Sequence, residues 1–342
     1  MEINFNNFFE DELTIEDIQV AIESGKVTSK ELVMYYLHRI AEYDQGGPKI
    51  NSILETNPDA IFIAEALDYE RKIKGVRGPL HGIPVVLKDN IETNDSMHTS
   101  AGTLALENHI SNNDAFLVEK LRNAGAVILG KTNMTELSNG MSNTMWAGYS
   151  SRGGQVLNPY GDANLFVGGS SSGSAVAVAA NFSVLSIGTE TDASILSPAI
   201  QNSVVGIKPT VGLISRTGII PFTYSQDTAG PMARTVKDAS ILLGALVGVD
   251  KHDPATHKSE GILQVDYSQY LDYSGLKGAK IGVFKAGSKT FYESEEYDAE
   301  LFEHAIQTLN EEGALVTEDI EIPSYHREWK RVVLLSELKH SL

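Results

Sequence analysis

Three short segments carry residues that could do covalent chemistry without a histidine. Residues 167–175 read Val-Gly-Gly-Ser-Ser-Ser-Gly-Ser-Ala, residues 188–195 read Gly-Thr-Glu-Thr-Asp-Ala-Ser-Ile, and Lys88 closes the run Pro-Val-Val-Leu-Lys at 84–88. A serine hydroxyl is a weak nucleophile at neutral pH, so a base holding a free lone pair must sit within hydrogen-bond reach of it. Lysine can be that base only when uncharged, and burial is what drives its ammonium to give up the proton. Lys88 follows an apolar run from Ile83 to Leu87 that predicts a short interior strand, and alternation places it on the face of Val86. Serine turns with a strand-borne lysine therefore suit nucleophilic acyl transfer.

Other readings of the same residues compete. A lysine at a strand end commonly snorkels to water. The glycine-serine loop could cradle an anion at a helix start, but no Gly-Lys-Ser/Thr closes it. A flexible linker is the third reading, and it conflicts with the small apolar residues of 175–180, which predict a helix immediately after the loop.

The elements that must hold these residues follow an α/β pattern. Thr14 and Thr28 each open a helix with a capping-type start, the second running through Glu42. Strands are expected at 83–87, 126–129 and 184–188, alternating with helices as far as Val249. Residues 250–273 read as a polar connection, followed by a strand at 279–284, a helix over 296–309 and a strand at 314–317. No internal repeat or low-complexity tract is present.

Beyond these elements, the chain resembles the amidase signature family. The matching segments, in order, are residues 78–90 around the lysine, 130–136 (Gly-Lys-Thr-Asn-Met-Thr-Glu), 168–175, 188–198, 205–213 (Val-Gly-Ile-Lys-Pro-Thr-Val-Gly-Leu) and 225–232 (Ser-Gln-Asp-Thr-Ala-Gly-Pro-Met). The similarity runs from about Leu13 to at least Val249. It implies a mixed, twisted central β-sheet covered by α-helices on both faces. It also implies a Ser-Ser-Lys triad of nucleophile Ser194, intervening Ser170 and base Lys88, a cis peptide between Gly169 and Ser170, and an oxyanion hole from the amides of Thr191, Asp192, Ala193 and Ser194. The implied activity is amide hydrolysis through an acyl-enzyme, releasing ammonia or an amine, with no cofactor and no metal. Ser171 and Ser172 are expected to brace the loop, and Asp227 to cap its turn or support the catalytic turn.

Two departures from the family pattern stand out. Asp192-Ala193 replaces the two glycines common before the nucleophile. The form Thr-Glu-Thr-Asp-x-Ser, with Ser-Arg-Gly-Gly-Gln at 151–155 and Asn-Pro-Tyr at 158–160, is similar to the peptide amidase branch. A methyl group at Ala193 is unwelcome if that position needs a positive φ. The second departure is length: residues 329–339 form an amphipathic helical pattern without a stop, so the chain reads as C-terminally truncated. The expected organisation is a helical lead-in over 1–75, the catalytic core over 76–250, and the start of the C-terminal part of the same domain over 251–342, incomplete.

Bulk composition agrees. At 342 residues the chain can bury a full core, and its formal charge of −18 argues against nucleic acid or an anionic membrane as partner. The absence of cysteine excludes disulfides and thiolate metal sites. The N-terminus has no basic and apolar leader pattern, so cytoplasmic localisation is expected. His81 and His98 lack a zinc-binding partner pattern, His252 and His257 fall in the polar connection, and the acidic run at 292–296 reads as a helix start. The expected partner is a small-molecule or peptide amide, with a homo-oligomer left open. Two alternatives stand beside the hydrolase: the glutamine-hydrolysing subunit of a tRNA-dependent amidotransferase, and a non-catalytic protein that keeps the amidase fold.

Overall fold

The structure, a computed structural model, describes residues 12–142, 144–161, 164–284, 297–318, 320–325 and 332–341. Two compact units emerge: Met1–Ser268 with Leu334–Leu342, and Gln269–Val333.

In the larger unit, α1 (Ile15–Glu23) and α2 (Ser29–Arg39) start where the capping residues predict. Thr28 Oγ1 accepts from the Glu31 amide at 3.1 Å while the Glu31 carboxylate accepts from the Thr28 amide at 2.8 Å, satisfying two amides that a helix start leaves open. The second helix ends in a π-helical turn, Ile40–Gln45. The lead-in is not wholly helical: β1 (Ile53–Thr56) pairs antiparallel with β3 (Val127–Thr132) before α3 (Ala60–Lys74) begins. A four-residue strand with only one buried side chain at its start leaves little period to read.

The central sheet has six strands in the order β1-β3-β2-β6-β8-β7, with β2 at Pro84–Lys88, β6 at Leu185–Glu190, β7 at Val205–Gly206 and β8 at Thr228–Ala233. Strand β2 is parallel to both β3 and β6, whereas β8 runs antiparallel to β6. Every residue of β2, β3, β6 and β8 is buried, which requires cover on both faces. That cover includes α3, α4 (Phe116–Asn123), α5 (Ser172–Ala179) and α7 (Val236–Leu246), while α6 (Leu196–Gln201) packs by β7 and a two-residue hairpin, β4–β5 (Tyr149–Ser150, Gly154–Gln155), lies outside the sheet. Among the described residues, no helix is long and apolar enough to cross a membrane.

The strand directions place the chemistry. The C-terminal ends of β2, β3 and β6 lie on one edge, where Lys88 pairs with Thr132, and Glu190 pairs with Thr228 at the start of β8. Open α/β sheets bind ligands at this edge.

Residues 250–273 do more than connect. Asp250 accepts from Ser215 Oγ at 2.6 Å, and Asp253 takes the Arg216 guanidinium, including a 2.8 Å contact from Nε. In the second unit, β9 (Lys280–Gly282) pairs parallel with β10 (Leu315–Thr317), and α8 (Tyr297–Glu311) lies between them in sequence. The acidic run at 292–296 lies outside the described residues. Of the amphipathic pattern at 329–339, the described part is α9 (Val332–Ser341), whose Glu337 accepts from both the amide and the hydroxyl of Ser225 at 2.9 Å.

Helix α5 lies against the sheet because its first turn is small. A Cβ at Gly173 would sit 2.3 Å from the Ser52 carbonyl oxygen and 2.4 Å from that of Asn133, both backbone atoms that cannot step aside. Gly173→Ala is expected to lower the unfolding free energy by about 1–3 kcal/mol in urea denaturation. Gly78→Ala, where nothing lies within 4 Å of the new methyl group, is expected to leave it unchanged.

Candidate active site

Lys88 ends β2 in the middle of the sheet and is completely buried. Its Nζ lies 2.7 Å from Ser170 Oγ, 2.9 Å from Thr189 Oγ1 and 3.1 Å from the Thr189 carbonyl oxygen. Burial pulls the ammonium down from 10.5 to about 7, although the carboxylates of Asp227 and Glu190 push the other way. A neutral amine has two N–H groups and one lone pair. The carbonyl and hydroxyl of Thr189 can take both N–H groups, which leaves the lone pair for the Ser170 hydroxyl.

Ser170 is held by backbone on each side. The Gly169–Ser170 peptide is cis, and the Ser170 carbonyl accepts from the Thr135 amide at 3.0 Å. Its neighbours brace the loop as expected: Ser171 Oγ donates to the Thr189 carbonyl at 3.0 Å, and Ser172 Oγ donates to the Gly168 carbonyl at 2.5 Å. The Ser171 amide donates to the Ser194 carbonyl at 3.1 Å, so the two serine turns meet directly. Lys88, Ser170 and the Ser194 turn therefore converge from three segments far apart in sequence.

The turn carrying Ser194 is fixed from below by Glu190. Its Oε2 accepts from the amides of Ile195 at 2.6 Å and Leu196 at 3.0 Å, closing the start of α6. Ser194 is buried, Asp192 is exposed, and Ala193 adopts φ +59°, the left-handed region. Holding a non-glycine residue there costs about 1–2 kcal/mol. Among the described residues, no protein group accepts from the amides of Thr191, Asp192, Ala193 or Ser194. Unpartnered backbone amides can stabilise a developing oxyanion where they point at it.

Asp227 combines the two roles considered for it. It accepts from the Thr191 hydroxyl, and it caps its own turn through the amides of Phe222 at 2.7 Å and Thr223 at 2.9 Å. Beside it lies a cavity of about 190 Å³ lined by Asn90, Thr189, Thr191 and Asp227 together with the apolar side chains of Ile219 and Phe222. Arg216 also lines it, with its charge engaged by Asp253.

Residue types alone did not reveal Thr189, Glu190 or Asn90 as parts of this site, although each stands in a segment with Lys88 or Ser194. A second buried lysine, Lys131, is held by the Ile91 carbonyl at 2.5 Å and Thr99 Oγ1 at 2.7 Å, with burial lowering it to about 8. It braces the loop after β2. His81 contacts the Leu67 carbonyl at 2.9 Å and His98 the Glu55 carboxylate at 3.1 Å, while His252 and His257 are exposed.

Comparison with known proteins yields consistent matches. A family model described as Amidase matches residues 31–341. The chain is 46% identical over 97% of its length to a probable amidase of Arabidopsis thaliana. A solved structure of native peptide amidase from Stenotrophomonas maltophilia is 46% identical over 93% of the chain, with a TM-score of 0.85. A glutamyl-tRNA(Gln) amidotransferase subunit from Halorhodospira halophila is 39% identical over 92% of the chain. The chain spans 64%, 63% and 63% of these three proteins respectively.

Lys88 ties stability to pH. Between about pH 7 and 10.5 the unfolded lysine holds a proton that the folded one has shed, so unfolding takes up a proton and this residue makes stability rise with pH. Lys88→Met removes that contribution. In urea titrations at several pH values, stability of the variant relative to the parent is expected to fall steadily as pH rises across this window.

Proposed function

Because the chain belongs to the amidase family, we propose that it hydrolyses a carboxamide through an acyl-enzyme on Ser194, with Ser170 as bridging hydroxyl and Lys88 as base. The observation that carries this reading is the 2.7 Å contact between Lys88 Nζ and Ser170 Oγ at a fully buried site. Neutral Lys88 takes the Ser170 proton while Ser170 takes that of Ser194, whose Oγ bonds to the amide carbon. The amides of Thr191 to Ser194 receive the negative charge forming on the carbonyl oxygen. The C–N bond then breaks, and the relay returns the proton to the leaving nitrogen, releasing ammonia or an amine. Water, activated by the same relay, attacks the ester and frees the acid. No metal or cofactor enters these steps.

The substrate favoured is an amide with an uncharged, partly apolar acyl group. The cavity beside Thr191 is lined by Ile219, Ile220, Pro221 and Phe222, and its arginine is already paired. Similarity to the Stenotrophomonas peptide amidase supports a peptide C-terminal amide within that class. The glutamine-dependent amidotransferase reading draws on a lower identity, 39% against 46%. Ammonia release from glutamine that depends on added partner subunits would favour it.

Labelling by a fluorophosphonate probe is expected in the parent protein and absent in Ser194→Ala; equal labelling of both contradicts the assignment of Ser194. Because the base must be unprotonated, kcat/KM for a peptide amide is expected to climb as pH rises through about 7 and then level off. Ala193→Gly relieves the left-handed alanine and is expected to be at least as fast as the parent. A large fall in its rate would show that the methyl group contributes to the turn.

A further inference from the structure

We propose that Trp146 and Phe166 form a subsite for the side chain of the peptide residue that precedes the amidated one. The two rings meet edge to face, with centres 6.3 Å apart and planes at 88°. Both stand open to solvent, Trp146 with 55% and Phe166 with 45% of its surface exposed. Two other ring pairs among the described residues, Tyr35–Tyr36 and Phe284–Tyr325, are buried or half-buried. Single exposed apolar side chains are ordinary on a protein surface, whereas two aromatic rings set against each other offer a ligand a preformed apolar contact.

Both rings border the serine loop. Ala147, next to Trp146, packs on it: a Cβ at Gly169 would stand 3.3 Å from the Ala147 Cβ. The Gly148 amide donates to Thr135 Oγ1 at 2.8 Å, and the Thr135 amide donates to the Ser170 carbonyl at 3.0 Å, so the chain leaving Trp146 is pinned beside Ser170. The chain that starts at Thr135 also lines the cavity, through Ser138. Phe166 stands four residues before Ser170. Its carbonyl accepts from Asn158 Nδ2 at 3.1 Å, and the same nitrogen donates to the Gln201 carbonyl at the end of α6 at 2.9 Å. Four extended residues cover at most about 14 Å, and each residue of a bound peptide spans about 3.5 Å. With the acyl carbon at Ser194 and the amidated residue's side chain in the cavity, the next side chain outward falls within that span. The inference rests on the acyl-enzyme reading given above and on a peptide amide as its substrate.

The test measures kcat/KM for N-acetyl-Phe-Leu amide and N-acetyl-Gly-Leu amide, which share the scissile bond and differ only in the residue assigned to the rings. The parent is expected to favour the phenylalanine peptide by about tenfold, and Trp146→Ala and Phe166→Ala to cut that ratio to about twofold or less. Damage to the fold lowers both rates alike and leaves the ratio standing, so the ratio separates a subsite from a structural role. Equal rates in the parent would overturn the proposal and assign the rings to a contact with another protein surface. A preference that survives in both variants would overturn it too. Thermal unfolding checks that the variants are folded, and Trp146→Leu provides the comparison if the alanine variant is not. A parent that takes the fluorophosphonate label but cleaves neither peptide overturns the subsite, whereas a parent that takes no label contradicts the acyl-enzyme reading instead.

Discussion

The candidate site depends on keeping one amine out of water. Lys88 in solvent would be a cation through the neutral range and could accept nothing. Enclosed by the sheet, it is driven toward the uncharged form because the interior solvates an ammonium poorly. The nearby carboxylates, Glu190 and Asp227, oppose that shift, yet each is occupied elsewhere: Glu190 receives the amides that begin α6, and Asp227 receives the Thr191 hydroxyl and two amides of its own turn. Acidic groups can thus shape the site without forming an ion pair with the lysine.

Strand direction explains why these groups meet. Parallel pairing of β2 with β3 and β6 brings the ends of three strands to one edge, and antiparallel β8 delivers its beginning to the same edge. Three of these four strand ends contribute a component: the amine from β2, the hydroxyl and carbonyl of Thr189 from β6, and Asp227 just before β8. The serine loop enters above through α5, whose small first turn lets its backbone lie against Ser52 and Asn133. Ser170, just before that helix, is buried and has its carbonyl held by the Thr135 amide.

Much of this arrangement was legible in the sequence because it is written in residue types. Lysine after an apolar strand, serines among glycines, and threonines opening helices each have a local physical meaning, and the capping residues Thr14 and Thr28 stand where that meaning places them. Ala193 was legible as a point of conflict, and its φ of +59° is the conformation that a glycine would adopt more easily. Thr189 was not legible. Its importance comes from a carbonyl and a hydroxyl that face a side chain 101 positions away, and no local pattern encodes such an encounter. Strand β1 escaped for a related reason, since its identity comes from pairing with β3 and not from its own four residues.

The central claim concerns the charge of one nitrogen, and ¹⁵N NMR of the Lys88 side chain reads it directly. With Lys88→Met used to identify the resonance, the account predicts a proton lost with a midpoint near pH 7 and an uncharged amine at pH 8.5. An ammonium resonance that persists unchanged to pH 9.5 in the folded protein would contradict it.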